Sequence, residues 1–416
     1  MCGIAAVISA RLADSERRAA VDRMIAAERH RGPDDQGMVS DGAATLGMCR
    51  LAIIDPANGR QPMTSPDGRH HLVFNGAIYN FRELRRELES HWRFVTQCDT
   101  EVLLAGLVLH GKAFLARLRG MFAFVFWDAR EQVLLTARDP FGIKPLYFAR
   151  LDDGIVIASE LKAIVASRLC PVGIDSVSVA EYLAWFSVPA PRTIYEGVTN
   201  LLPGHSLTVT GLDRVHLEKW WRLPEGRPGG ARATPQEFQQ RLRHELADTI
   251  RAHRVADVPI GAFLSGGLDS TAVVGLMRRA GADGLKTFTV VFDDSAGSER
   301  EPARQAAREL GTDHHEEMIS GARVAAELPQ ILRAFDAPTG DGINTYYAAA
   351  AARAAGVKVV LSGLGGDELF GGYPSFRDLP RLNGIIGAWR HVPPSLRGAT
   401  LRLLRGRKSA RSRKLA

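Results

Sequence analysis

The chain has 416 residues, 45% of them hydrophobic, with a formal net charge of +7 and a mean hydropathy of −0.08. That length predicts two or three domains, and with no run of ~18 apolar residues no membrane span is expected. Four cysteines (Cys2, Cys49, Cys98, Cys170) show no C-x-x-C spacing, which argues against a disulfide scaffold or a zinc site.

Cys49, Cys98 and Cys170 are expected to pack in the core. The first residues lack a basic stretch followed by an apolar one, so no secretory leader is expected and a cytoplasmic location is. The positive charge is local. Residues 377–416 carry eleven Lys/Arg against one acid, Asp378. No aromatic stacking pattern accompanies them, so the segment reads as a solvated end, and neither nucleic acid nor a membrane is an expected partner.

The chain opens Met1-Cys2-Gly3-Ile4. A small residue at position 2 predicts removal of Met1. Cys2 would then carry a free α-amine, with a pKa near ~8, beside its own thiol. Nucleophile and base would sit on one residue; an accidental cysteine at a frayed end is the other reading. Short apolar runs bounded by turn residues predict strands at Ile4–Ile8, Leu72–Phe74, Met121–Trp127, Val133–Ala137 and Ile155–Ala158. Helices are expected at Ser15–Arg29, Phe81–Ser90 and Asp99–Leu109, the last capped by Asp99 with Thr100.

Three prolines and three glycines between residues 222 and 235 mark a linker. Beyond it, helix and strand alternate. Helices are predicted at Gln236–Arg254, Leu268–Ala280, Pro302–Leu310 and Ile343–Ala355, and strands at Ile260–Leu264, Thr287–Phe292 and Val357–Leu361. That alternation implies a parallel sheet with covering helices. The domains are therefore read as 1–221 and 236–376, with an incomplete basic segment at 377–416.

Within the second domain, Phe263-Leu-Ser-Gly-Gly-Leu-Asp-Ser270 places a strand end, a glycine turn and a helix start in succession. Free amides at such a helix start attract phosphate oxygens. The motif lacks the Gly-Lys-Ser/Thr ending of a P-loop. Asp269 supplies a carboxylate suited to Mg²⁺, although a helix cap is its bland reading. A second strand ends in Ser362-Gly-Leu-Gly-Gly-Asp367-Glu368. Strand carboxyl ends share one edge of a doubly wound sheet, which puts Asp367 and Glu368 on the edge of Asp269.

The ordered motifs Met1-Cys2-Gly3-Ile4, Arg29-His-Arg-Gly-Pro-Asp34, Arg50-Leu-Ala-Ile-Ile54, Asn75-Gly-Ala-Ile-Tyr-Asn80, Asp99-Thr-Glu101, Gly120-Met-Phe-Ala-Phe124, Arg138-Asp-Pro-Phe-Gly-Ile-Lys-Pro-Leu-Tyr147, Ser159-Glu-Leu-Lys-Ala163 and Ser265–Ser270 together resemble glutamine-hydrolysing asparagine synthetases. The resemblance implies an α+β N-terminal-nucleophile hydrolase, an αββα sandwich, followed by an α/β doubly wound ATP-pyrophosphatase domain. It implies that Cys2 attacks the glutamine amide and forms a thioester, with Asn75 and Gly76 as oxyanion hole. Arg50, Leu51, Ile53, Ile54 and Asp99 would complete the glutamine site, Arg50 on the α-carboxylate and Asp99 on the α-amine. Ammonia would pass inside the protein to a β-aspartyl-AMP formed from ATP and aspartate.

By the same resemblance Phe263, Leu264, Ser265, Gly266, Gly267, Asp269, Ser270, Val290, Ser362 and Gly363 would bind ATP, and Asp269 and Asp367 the Mg²⁺. The chain departs from the pattern at Ala77, where the family carries Glu, and at Leu364, where it carries an acid. Members of the family usually continue past position 416; here Pro380, Pro393 and Pro394 are expected to interrupt the last forty residues, leaving Ile385, Ile386, Trp389, Leu401, Leu403 and Leu404 exposed without a full packing partner. Three readings stay open: an asparagine synthetase, an amidotransferase for another carboxylate (cell-wall, polysaccharide-linked or secondary-metabolite), and a regulatory or non-synthesising fragment. A homodimer stays open as well. The expectation for the chain as it stands is glutamine hydrolysis with little amide synthesis.

Overall fold

The computed structural model describes residues 1–212, 214–224, 234–293 and 299–391. In chain order the first domain comprises β1 (Gly3–Ser9), α1 (Asp14–Glu28), β2 (Asp35–Asp41), β3 (Ala44–Arg50), β4 (Met63–Thr64), β5 (His70–Ile78), α2 (Phe81–Leu88) and α3 (Asp99–His110). After a 3-10 turn it continues with β6 (Gly120–Asp128), β7 (Val133–Arg138), β8 (Tyr147–Leu151), β9 (Gly154–Ala158), α4 (Leu161–Ser167), α5 (Ser176–Trp185), β10 (Val198–Asn200), β11 (His205–Thr210) and β12 (Arg214–Lys219).

These strands form two six-stranded sheets, ordered β10-β8-β9-β1-β3-β2 and β12-β11-β7-β6-β5-β4. Side chains alternate between the two faces of a strand, and β1 shows what each face meets. Ile4, Ala6 and Ile8 join Val73, Val125 and Trp127 of the other sheet in the central core. Ala5 and Val7 instead meet Ala20, Val21 and Met24 of α1, with α4 beside them. On the far side, Phe74, Phe122 and Phe124 pack against α2 and α3. The order is helix, sheet, sheet, helix. Strands buried on both faces cannot alternate polar and apolar residues, which is why β1 and β6 read as unbroken apolar runs.

The second domain runs α6 (Pro235–His253), β13 (Ile260–Phe263), α7 (Leu268–Arg279), β14 (Lys286–Phe292), α8 (Arg300–Leu310), β15 (Asp313–Ile319), α9 (Gly321–Ala334), α10 (Ile343–Ala354), β16 (Val359–Leu361), α11 (Gly366–Phe370) and α12 (Pro374–Arg390). Its four strands are parallel and ordered β15-β14-β13-β16. Helices α6, α7 and α8 cover one face through Ile250, Val274, Met277, Ala303 and Ala307. Helices α9 and α10 contribute Ile331, Tyr347 and Ala352 to the clusters around β14 and β15. The chain builds outward from β13 to β15 and then returns to lay β16 on the other side of β13. The gap between β13 and β16 is therefore a switch point, the place where open parallel sheets bind ligands.

Several expectations need correction. The N-cap of α3 is Cys98 and no side chain caps it; the Asp99 carboxylate instead accepts from Ile78 N at 2.9 Å. Pro235 is not linker but the first residue of α6, behind a Thr234–Glu237 capping box, where a missing N–H costs nothing. Pro380 lies inside α12 rather than interrupting it. Cys49 and Cys98 are buried, whereas Cys170 is only partly so. Ile385 and Ile386 are exposed, as expected. Residues 225–233 of the linker and residues 392–416, with Pro393, Pro394, Leu401, Leu403 and Leu404, lie outside the described residues. No helix among the described residues is long and apolar enough to cross a membrane.

Candidate active sites

Strand pairing puts Gly3 opposite Cys49, so Cys2 stands beside the exit of β3. Leu51 N donates to Cys2 Sγ at 3.4 Å, and Arg31 Nε donates to the Cys2 carbonyl at 2.9 Å. Arg31 is itself held by Glu160, Nη1 to Oε1 at 2.9 Å. Burial alone would raise the Glu160 carboxyl, but hydrogen bonds from His30 and Arg31 bring it to about 2. Glu28 behind it is pushed well above the usual carboxylate range by burial and accepts from Glu160 N at 2.7 Å. Position 3 must be glycine, since a Cβ there would stand 2.5 Å from Cys49 Sγ and 2.7 Å from Glu28 Oε2. The polar network and the missing side chain together fix where Cys2 sits.

A cavity of about 70 Å³ opens in front of Cys2. Arg50, Leu51, Ile53, Ile54, Asn75, Gly76 and Asp99 all line it, so the structure brings every predicted glutamine-site residue together. The Asn75 Nδ2 is buried and has no hydrogen-bond partner. An orphan donor costs stability unless something occupies it. Gly76 cannot carry a side chain, because a Cβ would lie 2.2 Å from Met121 O.

Arg50 is 5% exposed. It donates to the Pro56 carbonyl at 2.9 Å, to Asp55 O at 2.9 Å and to Ile54 O at 3.3 Å. Part of its fork therefore orders the loop that carries Ile53 and Ile54. Asp99 is the one carboxylate on the cavity wall among the described residues. Burial pushes it up to about 6 despite the Ile78 amide and Arg50. Ala77, buried on the same wall, brings no second carboxylate.

Sequence reasoning missed several lining residues. Gln61 had no distinguishing pattern, whereas Tyr79 lies inside the Asn75–Asn80 motif. Lys144 did have a signal, since it lies inside the Arg138–Tyr147 motif. The second domain closes the cavity with His253, Val255 and Val359, which only domain docking brings near. That docking is polar and specific. Asp257 Oδ2 accepts from Asp55 N at 2.8 Å, and Lys358 Nζ donates to Asp34 Oδ2 at 2.7 Å. Asp336 takes the Leu161 and Lys162 amides at 2.7 and 3.0 Å. A carboxylate of the second domain thus satisfies the open amides of α4, the same segment that anchors Arg31.

The second site lies at the switch point. Ala262 of β13 pairs with Leu361 of β16, so the Ser265 and Ser362 turns leave the sheet side by side. Phe263 and Leu264 are the last apolar positions of this strand run, and Leu264 N donates to Phe288 O at 2.9 Å. Val290 stands two residues beyond Phe288, toward the same end of β14. Within the first turn, Ser265 N donates to Ser270 Oγ at 3.2 Å, and Gly267 N donates to Ser265 Oγ at 3.3 Å.

Gly266 has φ +76°, and a Cβ would meet Pro302 and Ala303 at 2.6 Å; only glycine fits such a corner. A Cβ on Gly363 would stand 2.7 Å from Ser270 N, and one on Gly366 2.2 Å from Asp269 Oδ2. These glycines keep the face of Asp269 open and bring the segment carrying Asp367 against it. No cluster of three or more metal-type side chains exists among the described residues, so phosphate oxygens or water would complete any ion held by Asp269 and Asp367. Leu364 is 88% exposed and leans on nothing.

Residues 1–221 match the glutamine amidotransferase domain family and residues 241–415 the asparagine synthase family. A Methanocaldococcus jannaschii protein provisionally named asparagine synthetase [glutamine-hydrolyzing] 2 is 32% identical, over 97% of this chain and 84% of its own length. The chain belongs to the glutamine-hydrolysing asparagine synthetase family. Another relative, Bacillus subtilis asparagine synthetase [glutamine-hydrolyzing] 1, is 37% identical over 91% of this chain. The Penicillium rubens amidase chyE is 34% identical over 91%. The chain spans 60% of the length of each of these two proteins. As a member of the asparagine synthetase family it joins a glutamine amidotransferase domain to a nucleotide-using ligase domain.

Proposed function

We propose that the chain hydrolyses glutamine at Cys2 and delivers the ammonia to an acyl-adenylate made from ATP and a carboxylate, aspartate being the first candidate. The observation that carries this reading is the meeting of Cys2, the orphan Asn75 donor and Asp99 on one cavity whose far wall belongs to the ligase domain. With Met1 removed, the α-amine of Cys2 takes the thiol proton and the thiolate attacks the glutamine amide carbon. Negative charge moves to the amide oxygen, where Asn75 Nδ2 and Gly76 N–H receive it. The protonated α-amine passes its proton to the departing nitrogen, ammonia leaves, and water releases glutamate from the thioester. The polar network behind Cys2 holds its backbone still through these steps.

Arg50 would hold the glutamine α-carboxylate and Asp99 its ammonium. Burial holds the Asp99 carboxyl up at about 6. Below that pH the carboxyl is neutral and no longer attracts the ammonium, so glutamine should bind more weakly as pH falls through about 6, approaching tenfold per unit. Calorimetry on the Cys2→Ala protein isolates binding from turnover. Asp99→Asn is expected to bind weakly at every pH and to lose the dependence. Binding by the Asp99 protein that is flat from pH 5 to 7 contradicts this role.

At the switch point, Phe263, Leu264, Val290, Ser362 and Gly363 would surround AMP. The amides of Gly266 and Ser270 beside the start of α7 would face the phosphates, and the Gly267 amide, which donates to Ser265 Oγ, would be recruited from that bond. The open face of Asp269, set against Gly366 next to Asp367 in the chain, suits Mg²⁺. When bound, that ion would neutralise charge on the pyrophosphate leaving group. Asp269→Asn should reduce ATP-dependent turnover by at least about 10²-fold while leaving glutamine hydrolysis within about twofold, because additivity holds between distant sites. Nucleotide chromatography with glutamine, ATP, Mg²⁺ and aspartate should show AMP and pyrophosphate. ADP as the stoichiometric product would exclude adenylation.

A second reading keeps the chemistry and changes the acceptor. It is favoured by the exposed Leu364, which brings no acid to the adenylate site, and by the similarity to an amidase as well as to asparagine synthetases. A panel of carboxylates in the same assay separates the two.

A further inference from the structure

Lys144 is 5% exposed, and no carboxylate lies within ion-pair distance of its ammonium among the described residues. Lysine is rarely buried without a partner, and an uncompensated buried charge destabilises the fold. The position is nevertheless built with care. Asp139 Oδ2 accepts from Lys144 N at 3.0 Å and Arg138 Nε donates to Lys144 O at 2.7 Å, so the backbone is fixed on both sides. The side chain reaches the glutamine cavity and lines it together with Met1, Cys2 and Asn75.

The neighbouring groups that carry or change charge are few. Asp139 spends its carboxylate on the amides of Phe122, Phe141, Ile143 and Lys144. Arg31 is committed to Glu160 and the Cys2 carbonyl. Cys49 is buried, and burial pushes its thiol up to about 12, which keeps it neutral. Asp99, beside Arg50, lines the same cavity, as do Tyr79 and His253, whose charged forms burial disfavours. Cys2, whose sulfur has only the Leu51 N–H at 3.4 Å, is the group left without an ionic partner for its charge.

We infer that the Lys144 ammonium is the electrostatic partner of Cys2, holding the negative charge the sulfur carries once its proton has moved to the α-amine. Lys144 keeps its own proton throughout, and no bond to it forms or breaks. Two trends agree with this geometry. Burial lowers the Lys144 ammonium to about 8, while the Cys2 charge raises it. The α-amine of Met1 is held down to about 5 by burial; the Cys2 charge raises it, and Arg31 and Lys144 lower it. The same cations would favour an unprotonated α-amine on Cys2 after Met1 is removed, which is the form a base needs.

The inference rests on Cys2 being the nucleophile, and the test separates the two ideas. Alkylation of Cys2 by iodoacetamide, followed by mass spectrometry of the N-terminal peptide across pH, reports the anionic sulfur without requiring turnover. Lys144→Met should move the onset of alkylation, and the acid limb of glutamine hydrolysis, to higher pH by about one unit, a tenfold change at fixed pH. Lys144→Arg should restore both. The thermal midpoint of Lys144→Met at pH 7 should equal or exceed that of the parent protein, because an unpartnered charge has gone; a merely structural lysine would lower it. An alkylation profile unmoved by Lys144→Met overturns the inference. A parent protein that shows the Lys144-dependent alkylation but hydrolyses no glutamine overturns the glutaminase reading and leaves the electrostatic partnership standing.

Discussion

Replacing Cys2 with alanine is expected to abolish glutamine hydrolysis, a loss on the order of 10⁴-fold or more, as removal of a covalent nucleophile does. The rest of the cavity should survive. Arg31 bonds to the Cys2 backbone carbonyl and not to its side chain, so alanine keeps that anchor. Glutamine binding should therefore change little, and any amide synthesis fed by free ammonium should persist, since the nucleotide turn lies in the other domain. Glutamate release by the Cys2→Ala protein at more than about 1% of the parent rate would contradict the mechanism.

The second large effect concerns Asn75. Its Nδ2 is buried at the cavity and has no protein partner, on a strand whose register with β6 is fixed from His70 to Ile78. A donor placed in advance and left unsatisfied gains its partner only when charge develops on the amide oxygen. Asn75→Ala should lower kcat for glutamine about 10²- to 10³-fold, the usual cost of one oxyanion donor. The Michaelis constant should move far less, because the ground-state amide oxygen draws on this donor weakly. Asn75→Ala should also leave the thermal midpoint equal or raised, because an unpaired buried group disappears with it. A large rise in the Michaelis constant with kcat intact would instead make Asn75 an ordinary binding residue.

Much of the fold was legible because burial leaves its mark on composition. β1 and β6 are covered on both faces and read as continuous apolar runs. Other strands were illegible for the opposite reason. β15, Asp-His-His-Glu-Glu-Met-Ile, lies at a sheet edge, and its charges are matched by side chains from neighbouring helices. Glu316 pairs with Arg300 and Arg304 of α8, and Glu317 with Arg323 of α9. Sequence shows the charges and not their partners. β2 and β12, also at edges, are polar for the same reason.

The sites divide in a similar way. Cys2, Arg50, Asn75 and Asp99 sit in local motifs, so the motifs alone named them. Nothing local marks His253, Val255 or Val359 as cavity walls, or Asp336 as the group that satisfies the amides of α4. Their roles come from contacts across more than a hundred residues, set by how the two domains dock. The role of Asp99 as a helix cap failed because the carboxylate had a better donor in Ile78, on a strand that the chain left 21 residues earlier.

The most direct measurement is the mass of the N-terminal peptide after mixing with glutamine and quenching in acid. Met1 is expected to be absent and a glutamyl group to be held on Cys2 as an acid-stable, hydroxylamine-labile thioester, absent from the Cys2→Ala protein. Full glutamine hydrolysis by a protein that retains Met1, or a glutamyl adduct on any residue other than Cys2, would contradict the mechanism.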